Sequence, residues 1–230
     1  MDVELHAELS TAKPDIVPAL AARGDYMSDS LVDYDLDSVL DKVATDTDDA
    51  SNADAIQTLH ERLIRRGHYG PYEHATAFFA VEGISVSCER QLTRHRHMSF
   101  DVQSMRYVDF DHKGAVIPST TEGIDTDSGP ADTAIADAYD DALATYNDLR
   151  DAGVESEDAR FVLPLATEVN LTFSANSRAL MHLIDMRLAG DAQHEIRDLA
   201  GRVLEEAKDW APITFELYEE HAKGASKKAP

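Results

Sequence analysis

The chain has a single cysteine, Cys88, in 230 residues. An internal disulfide is therefore excluded, and the usage suits a reducing compartment. No stretch approaches the roughly 18 apolar residues of a membrane-spanning helix. The opening decapeptide, MDVELHAELS, is acidic and lacks an apolar core, so it does not read as a secretory signal. The expectation is a cytoplasmic protein with no membrane partner. Neither GxGxxG nor GxxxxGKS/T occurs, which removes the usual Rossmann and P-loop routes to a nucleotide. There is no HExxH and no cysteine pair. His60, His68 and His74 stand near Glu61 and Glu73, but no tight ligand spacing links them, so no metal is assigned.

Lysine is scarce: 7 Lys and 14 Arg face 44 Asp and Glu, for a net charge of −23. At molar salt the screening length falls to roughly 3 Å, and the self-repulsion of such a surface nearly vanishes. A dense carboxylate coat then keeps the protein hydrated and soluble. The composition reads as adaptation to very high salt. It also argues against general nucleic-acid binding, which needs a basic footprint.

The charge is uneven. Residues 1–60 hold 14 acids against Lys13, Arg23 and Lys42, and residues 108–160 hold 14 against Lys113, Arg150 and Arg160. Between them, residues 90–107 carry Arg90, Arg94, Arg96 and Arg106 against Asp101 alone. Such an island serves either internal ion pairing or an anionic ligand, since arginine forks match phosphate and carboxylate.

Periodicity predicts a mixed chain. Helices are expected at 13–23, 36–44, 52–66, 84–95, 131–151, 155–165, 176–188, 191–208 and 211–222. Strands are expected at 75–81 and 168–174, a hairpin at 107–117, and a polar loop at 119–130. Without a repeat or linker, this is an α+β protein, a single domain over 1–222 with a disordered tail at 223–230. Cys88 shares an apolar face with Ile84 and Leu92, so it reads as a buried, inert thiol.

The stretch Arg94-His95-Arg96-x7-Ser104-x-Arg106 stands apart. Its guanidinium and imidazole groups cannot share one helical face, so they fan outwards. With hydroxyls and backbone N–H groups beside them they would make a phosphate cradle, or else a solvated basic turn. The pattern resembles the signature of flavin-dependent thymidylate synthases. Other blocks strengthen the likeness. Gly67-His68 with Pro71-Tyr72-Glu73-His74 resembles GHxxPFEH. Gln91 lies three residues before Arg94. Arg160 with Leu163-Pro164-Leu165 is similar to ARxxLP. Asn176-Ser177-Arg178 resembles NxR, and Arg187 follows nine residues after Arg178. Gln193-His194-Glu195-Ile196 is similar to AQxEI. The likeness runs in order from about residue 20 to 215.

The resemblance implies an antiparallel sheet flanked by helices, a homotetramer with shared sites, and conversion of dUMP to dTMP. Methylenetetrahydrofolate would supply the carbon and NADPH the reducing equivalents, relayed by FAD. It implies FAD contacts from His68, Arg94, His95, Arg96, Asn176, Arg178 and His182. It implies dUMP contacts from Gln91, Arg94, Gln103, Ser104, Arg106 and Arg160, with Arg187 activating the base. Read as residues alone, Arg178 and Arg187 could instead be the polar edge of a helix. The sequence departs from the family pattern at Asp25, Gly70, Val102 and Asp191. A metal-dependent nucleotide phosphohydrolase built on 60–74, or a nucleotide- or RNA-binding module built on 90–107, are the competing readings. The charge balance predicts that the protein unfolds on dialysis from molar salt into ~0.1 M salt, where repulsion is unscreened. Circular dichroism that is unchanged across that range would contradict the salt reading.

Overall fold

The structure is a computed structural model that describes residues 1–25 and 52–224. The helix expected at 36–44 lies outside the described residues. The tail expected at 223–230 does so too, apart from Lys223 and Gly224.

Two long strands form the centre. β2 spans Thr76–Ser85 and β6 spans Glu168–Asn176, paired antiparallel from Thr76↔Asn176 to Ser85↔Glu168. Their alternation is the strand period of two. Ala77, Phe79 and Val81 face the core from β2; Val169, Leu171, Phe173 and Ala175 face it from β6. Phe79 and Phe173 are directly opposed, and their rings stack at 4.7 Å. A one-residue slip would turn these side chains to the wet face, so this set fixes the register. β1 (Asp2–Leu5) adds to the free edge of β2, and β3 (Ser99–Val102) to that of β6, giving the order β1-β2-β6-β3. The small hairpin β4–β5 (Asp125–Thr126 and Gly129–Pro130) lies apart.

Eight helices accompany the sheet among the described residues. They are α1 (Ile16–Gly24), α2 (Asn52–Arg66), α3 (Val86–Leu92), α4 (Ala131–Asp151), α5 (Ser156–Ala159), α6 (Ser177–Arg187), α7 (His194–Trp210) and α8 (Pro212–His221). α6 packs on α7, and α7 packs on β1 and α8. α2 ends at Gly67, whose φ of 72° lets the amides of Gly67 and His68 reach back to the carbonyls of Ile64 and Leu63.

Three expectations need correction. The segment 107–117 is not a hairpin. It is turns and irregular chain, with one bridge among the described residues, from Ala115 to Thr167. The helix expected at 84–95 begins only at Val86, because Ile84 and Ser85 finish β2. The helix expected at 155–165 is one turn, α5, followed by a 3-10 turn over Arg160–Val162.

A polar knot ties the ends of the fold together. The Asp15 carboxylate accepts the backbone N–H groups of Ile213 and Thr214 and the Thr214 hydroxyl, at 3.2, 2.8 and 2.7 Å. It caps α8 from another part of the chain, satisfying amides that the helix itself leaves unpaired. Fully buried His60 donates Nε2–H to the Asp15 carbonyl at 2.7 Å, so its Nδ1 can accept from the Tyr72 hydroxyl at 3.0 Å. Burial holds its pKa below the usual histidine range. Asp15→Ala should lower unfolding free energy by about 2 kcal/mol, since a charged cap and its hydrogen bonds are lost together. Urea unfolding at constant high salt tests this; a loss under about 0.5 kcal/mol would show that the cap contributes little.

Candidate functional site

The two central strands each turn directly into a helix, and those turns place the site. At the end of β2, the Ser85 hydroxyl accepts the Cys88 amide and starts α3. Buried Glu195 fixes that corner by accepting from Ser85 N–H at 2.7 Å and Ser85 Oγ at 2.6 Å. At the end of β6, Asn176 Oδ1 accepts the Ala179 amide at 2.8 Å and starts α6. Because the strands are antiparallel, α3 and α6 start at opposite ends of the pair. Nine residues of strand span roughly 30 Å. Helices of 7 and 11 residues cover roughly 10 and 16 Å. The two helices head towards each other, and their C-terminal ends meet.

Arg187 closes that meeting point. Its Nη2 donates to the Gln91 carbonyl at 2.9 Å, and its Nε donates to His95 Nε2 at 3.0 Å. The first bond satisfies a carbonyl in the last turn of α3. His95 is buried, and its ring sits edge-on to His182 at 5.6 Å. Its pKa is pushed down to about 4, chiefly by burial and then by the Arg187 and His182 charges. The Gln91 side chain reaches the Ser87 carbonyl and Gln193 Oε1, at 3.3 and 3.5 Å.

His95 also lines a cavity of about 530 Å³. Arg94, His95, Arg96, Asn176, Arg178 and His182 all line it. These are six of the seven residues that the sequence assigned to the cofactor. The seventh, His68, is exposed on the turn after α2 and is not among the lining residues. The sequence missed Glu73 as a partner within the cavity. It accepts from Arg178 Nη1 at 2.6 Å. Arg94 and Arg96 have no carboxylate partner among the described residues. The volume suits a small ligand or part of a larger one, and unpaired guanidinium groups suit its anionic portion.

The remaining assigned residues form a second group, beyond β3. Ser104 Oγ accepts the Arg106 amide at 3.2 Å. Arg106 pairs with Glu157 through Nε at 2.8 Å and Nη2 at 2.6 Å. Arg160 Nε donates to the Glu157 carbonyl at 2.9 Å. Glu157 therefore occupies the place that an anionic ligand of Arg106 would take. Gln103 lies just before this group, with its amide bonded to the Asn170 carbonyl and its Oε1 buried without a partner among the described residues. The four residues of β3, roughly 13 Å long, separate this group from the cavity. Within one chain, the expected junction from Arg94 to Arg106 is thus two groups.

The departures are readily placed. Val102 is partly exposed on β3, opposite Leu171. Gly70 has open space around the position of a Cβ, so sterics do not require glycine there. Asp25 and Asp191 are exposed. Cys88 is fully buried, with its thiol pKa pushed up chiefly by burial, so it remains protonated and unreactive.

An α+β sheet protein with an arginine-lined cavity at the ends of two helices is the class defined so far. The family model described as Thymidylate synthase complementing protein matches residues 8–213. The chain belongs to the flavin-dependent thymidylate synthase family, a family of methyltransferase enzymes. It is 43% identical to the flavin-dependent thymidylate synthase of Halobacterium salinarum, over 93% of this chain and 94% of that one. It is 41% identical to that of Haloarcula marismortui, over 97% of each. The fold is similar to a UMP/dUMP methylase from Streptomyces cacaoi solved with 5-Br dUMP, at a TM-score of 0.73 and 26% identity, covering 100% of this chain and 97% of that one.

Proposed function

We propose that the protein converts dUMP to dTMP, with methylenetetrahydrofolate as carbon donor, NADPH as reductant and FAD between them, in a salt-adapted homotetramer. The observation that carries this reading is the convergence of Arg94, His95, Arg96, Asn176, Arg178 and His182 on one cavity, with Arg187 directly behind it. The cavity fits an anionic cofactor. Its arginines outnumber its one carboxylate, Glu73, and two of them are unpaired among the described residues.

Bound FAD would supply the redox chemistry of the flavin ring. The chain's own residues bind and orient. Arg94, Arg96 and Arg178 hold the negative portion of the cofactor, with Asn176 and His182 beside it. Ser104 and Arg106 hold the dUMP phosphate, which displaces Glu157 from Arg106, and Arg160 is a further dUMP contact. Gln91 and Gln103 contact the nucleotide. In a tetramer with shared sites, the two groups of one chain can serve different sites.

Arg187 acts on the base. Attack from C5 of uracil on an electrophilic carbon is favoured by negative charge on the ring. A guanidinium beside N3 and the carbonyl oxygens favours loss of the N3 proton and holds the resulting charge. Arginine suits this task because it stays protonated.

A metal-dependent phosphohydrolase built on residues 60–74 is disfavoured by His60. Its Nε2–H is donated to Asp15 and its Nδ1 lone pair is taken by the Tyr72 hydroxyl, so neither ring nitrogen is open to a metal.

Protein purified in high salt should bind FAD, with absorbance near ~450 nm, and form dTMP. Arg187→Ala should abolish dTMP formation and leave FAD bound. No flavin bound at saturating FAD would contradict the cofactor reading. Turnover retained by Arg187→Ala would remove its role in activating the base.

A further inference from the structure

The contact between Arg187 and His95 carries more than proximity. An arginine can only donate, so His95 Nε2 must offer a lone pair. The ring is then neutral, with its proton on Nδ1. This is the reverse of His60, which donates from Nε2. Burial and the neighbouring Arg187 and His182 charges favour the neutral ring.

Arg187 has five N–H donors. Nε is taken by His95 and one Nη2 proton by the Gln91 carbonyl. The acceptors come from the last turn of α3 and from the segment just after it, and they grip one planar group at two points. The guanidinium cannot rotate about its stem without breaking one of them. Nη1 and the second Nη2 proton have no hydrogen bond among the described residues, and the two anchors fix their direction.

We propose that His95 is a positioning residue for Arg187, whose imidazole acceptor, with the Gln91 carbonyl, aims the guanidinium at the pyrimidine. This rests on the base-activating role given to Arg187 above. It differs from a flavin contact, because the Nε2 lone pair is given to Arg187, which does not line the cavity. Misplacing a catalytic group by about 1 Å costs on the order of 100-fold in rate, so losing one of two anchors should be visible in kcat.

The first test needs no cofactor. Imidazole 15N NMR of the ligand-free protein at pH 7 in high salt, with His95 assigned through His95→Gln, should show a neutral ring protonated on Nδ1. A ring protonated on Nε2, or an imidazolium, would overturn the proposal. The second test compares His95→Leu, which removes the acceptor, with His95→Gln, whose side-chain carbonyl reaches a similar point. His95→Leu should lower kcat by about 30- to 100-fold, with the dUMP KM changed less than about threefold and FAD still bound. His95→Gln should recover most of that loss. Unchanged kcat in His95→Leu, or loss of FAD with normal turnover in the loaded fraction, would overturn the proposal. Arg187→Ala separates the two readings. If it is inactive while His95→Leu is normal, only the positioning role fails. If Arg187→Ala itself turns over, base activation fails, and the NMR result alone decides whether His95 anchors the guanidinium.

Discussion

The pairing of β2 with β6 is the constraint on which the rest of the structure depends. Phe79 opposite Phe173 sets its register. That register fixes where Ser85 and Asn176 fall, and each caps the helix that follows. The antiparallel sense sends α3 and α6 towards each other, so residues 91–95 and Arg187 meet although they lie more than 90 positions apart in sequence. A one-residue slip would invert both faces and separate them. The site is thus a consequence of sheet geometry rather than of any local motif.

Electrostatics then distinguishes the arginines. The chain carries a net charge of −23, so an unpaired cation has many carboxylates to choose from. Arg65, Arg150 and Arg202 have chosen theirs, as structural pairs with Glu61, Asp109 and Asp198. Of the four arginines in the 90–107 island, only Arg106 holds a carboxylate among the described residues. Among the described residues, internal pairing therefore does not explain the island. Arg106 and Arg178 hold acids that a ligand would exchange for its own charge, while Arg94 and Arg96 stand open at the cavity. Exposed pairs of this kind are worth little, so the exchange costs little.

Much of this was legible in the sequence. The helices of 131–151 and 191–208 follow the 3.6-residue period and appear within a few residues of the expected bounds. The family blocks identified six residues that the fold gathers into one cavity. What escaped depends on partners distant in sequence. β3 is four residues, Ser-Phe-Asp-Val, that are strand only because β6 lies beside them. β1 exists because β2 has a free edge. The reverse holds for 107–117, where His112-Lys113-Gly114 suggested a hairpin turn but the one bridge among the described residues is to Thr167. Glu73, Glu157 and Glu195 are ordinary acids in an acidic chain. Nothing local marks them as the partners of Arg178, Arg106 and Ser85. The separation of Ser104 and Arg106 from the cavity was hidden for the same reason, since the strand between them was not foreseen.

The most direct test of the account is a crystal structure of the protein in high salt with FAD and dUMP both bound. The account predicts the flavin in the cavity lined by Arg94, His95, Arg96, Asn176, Arg178 and His182, with the uracil ring within hydrogen-bonding distance of Arg187. It also predicts a phosphate in place of Glu157 on Arg106. A flavin bound elsewhere, or a uracil ring out of reach of Arg187, would contradict it.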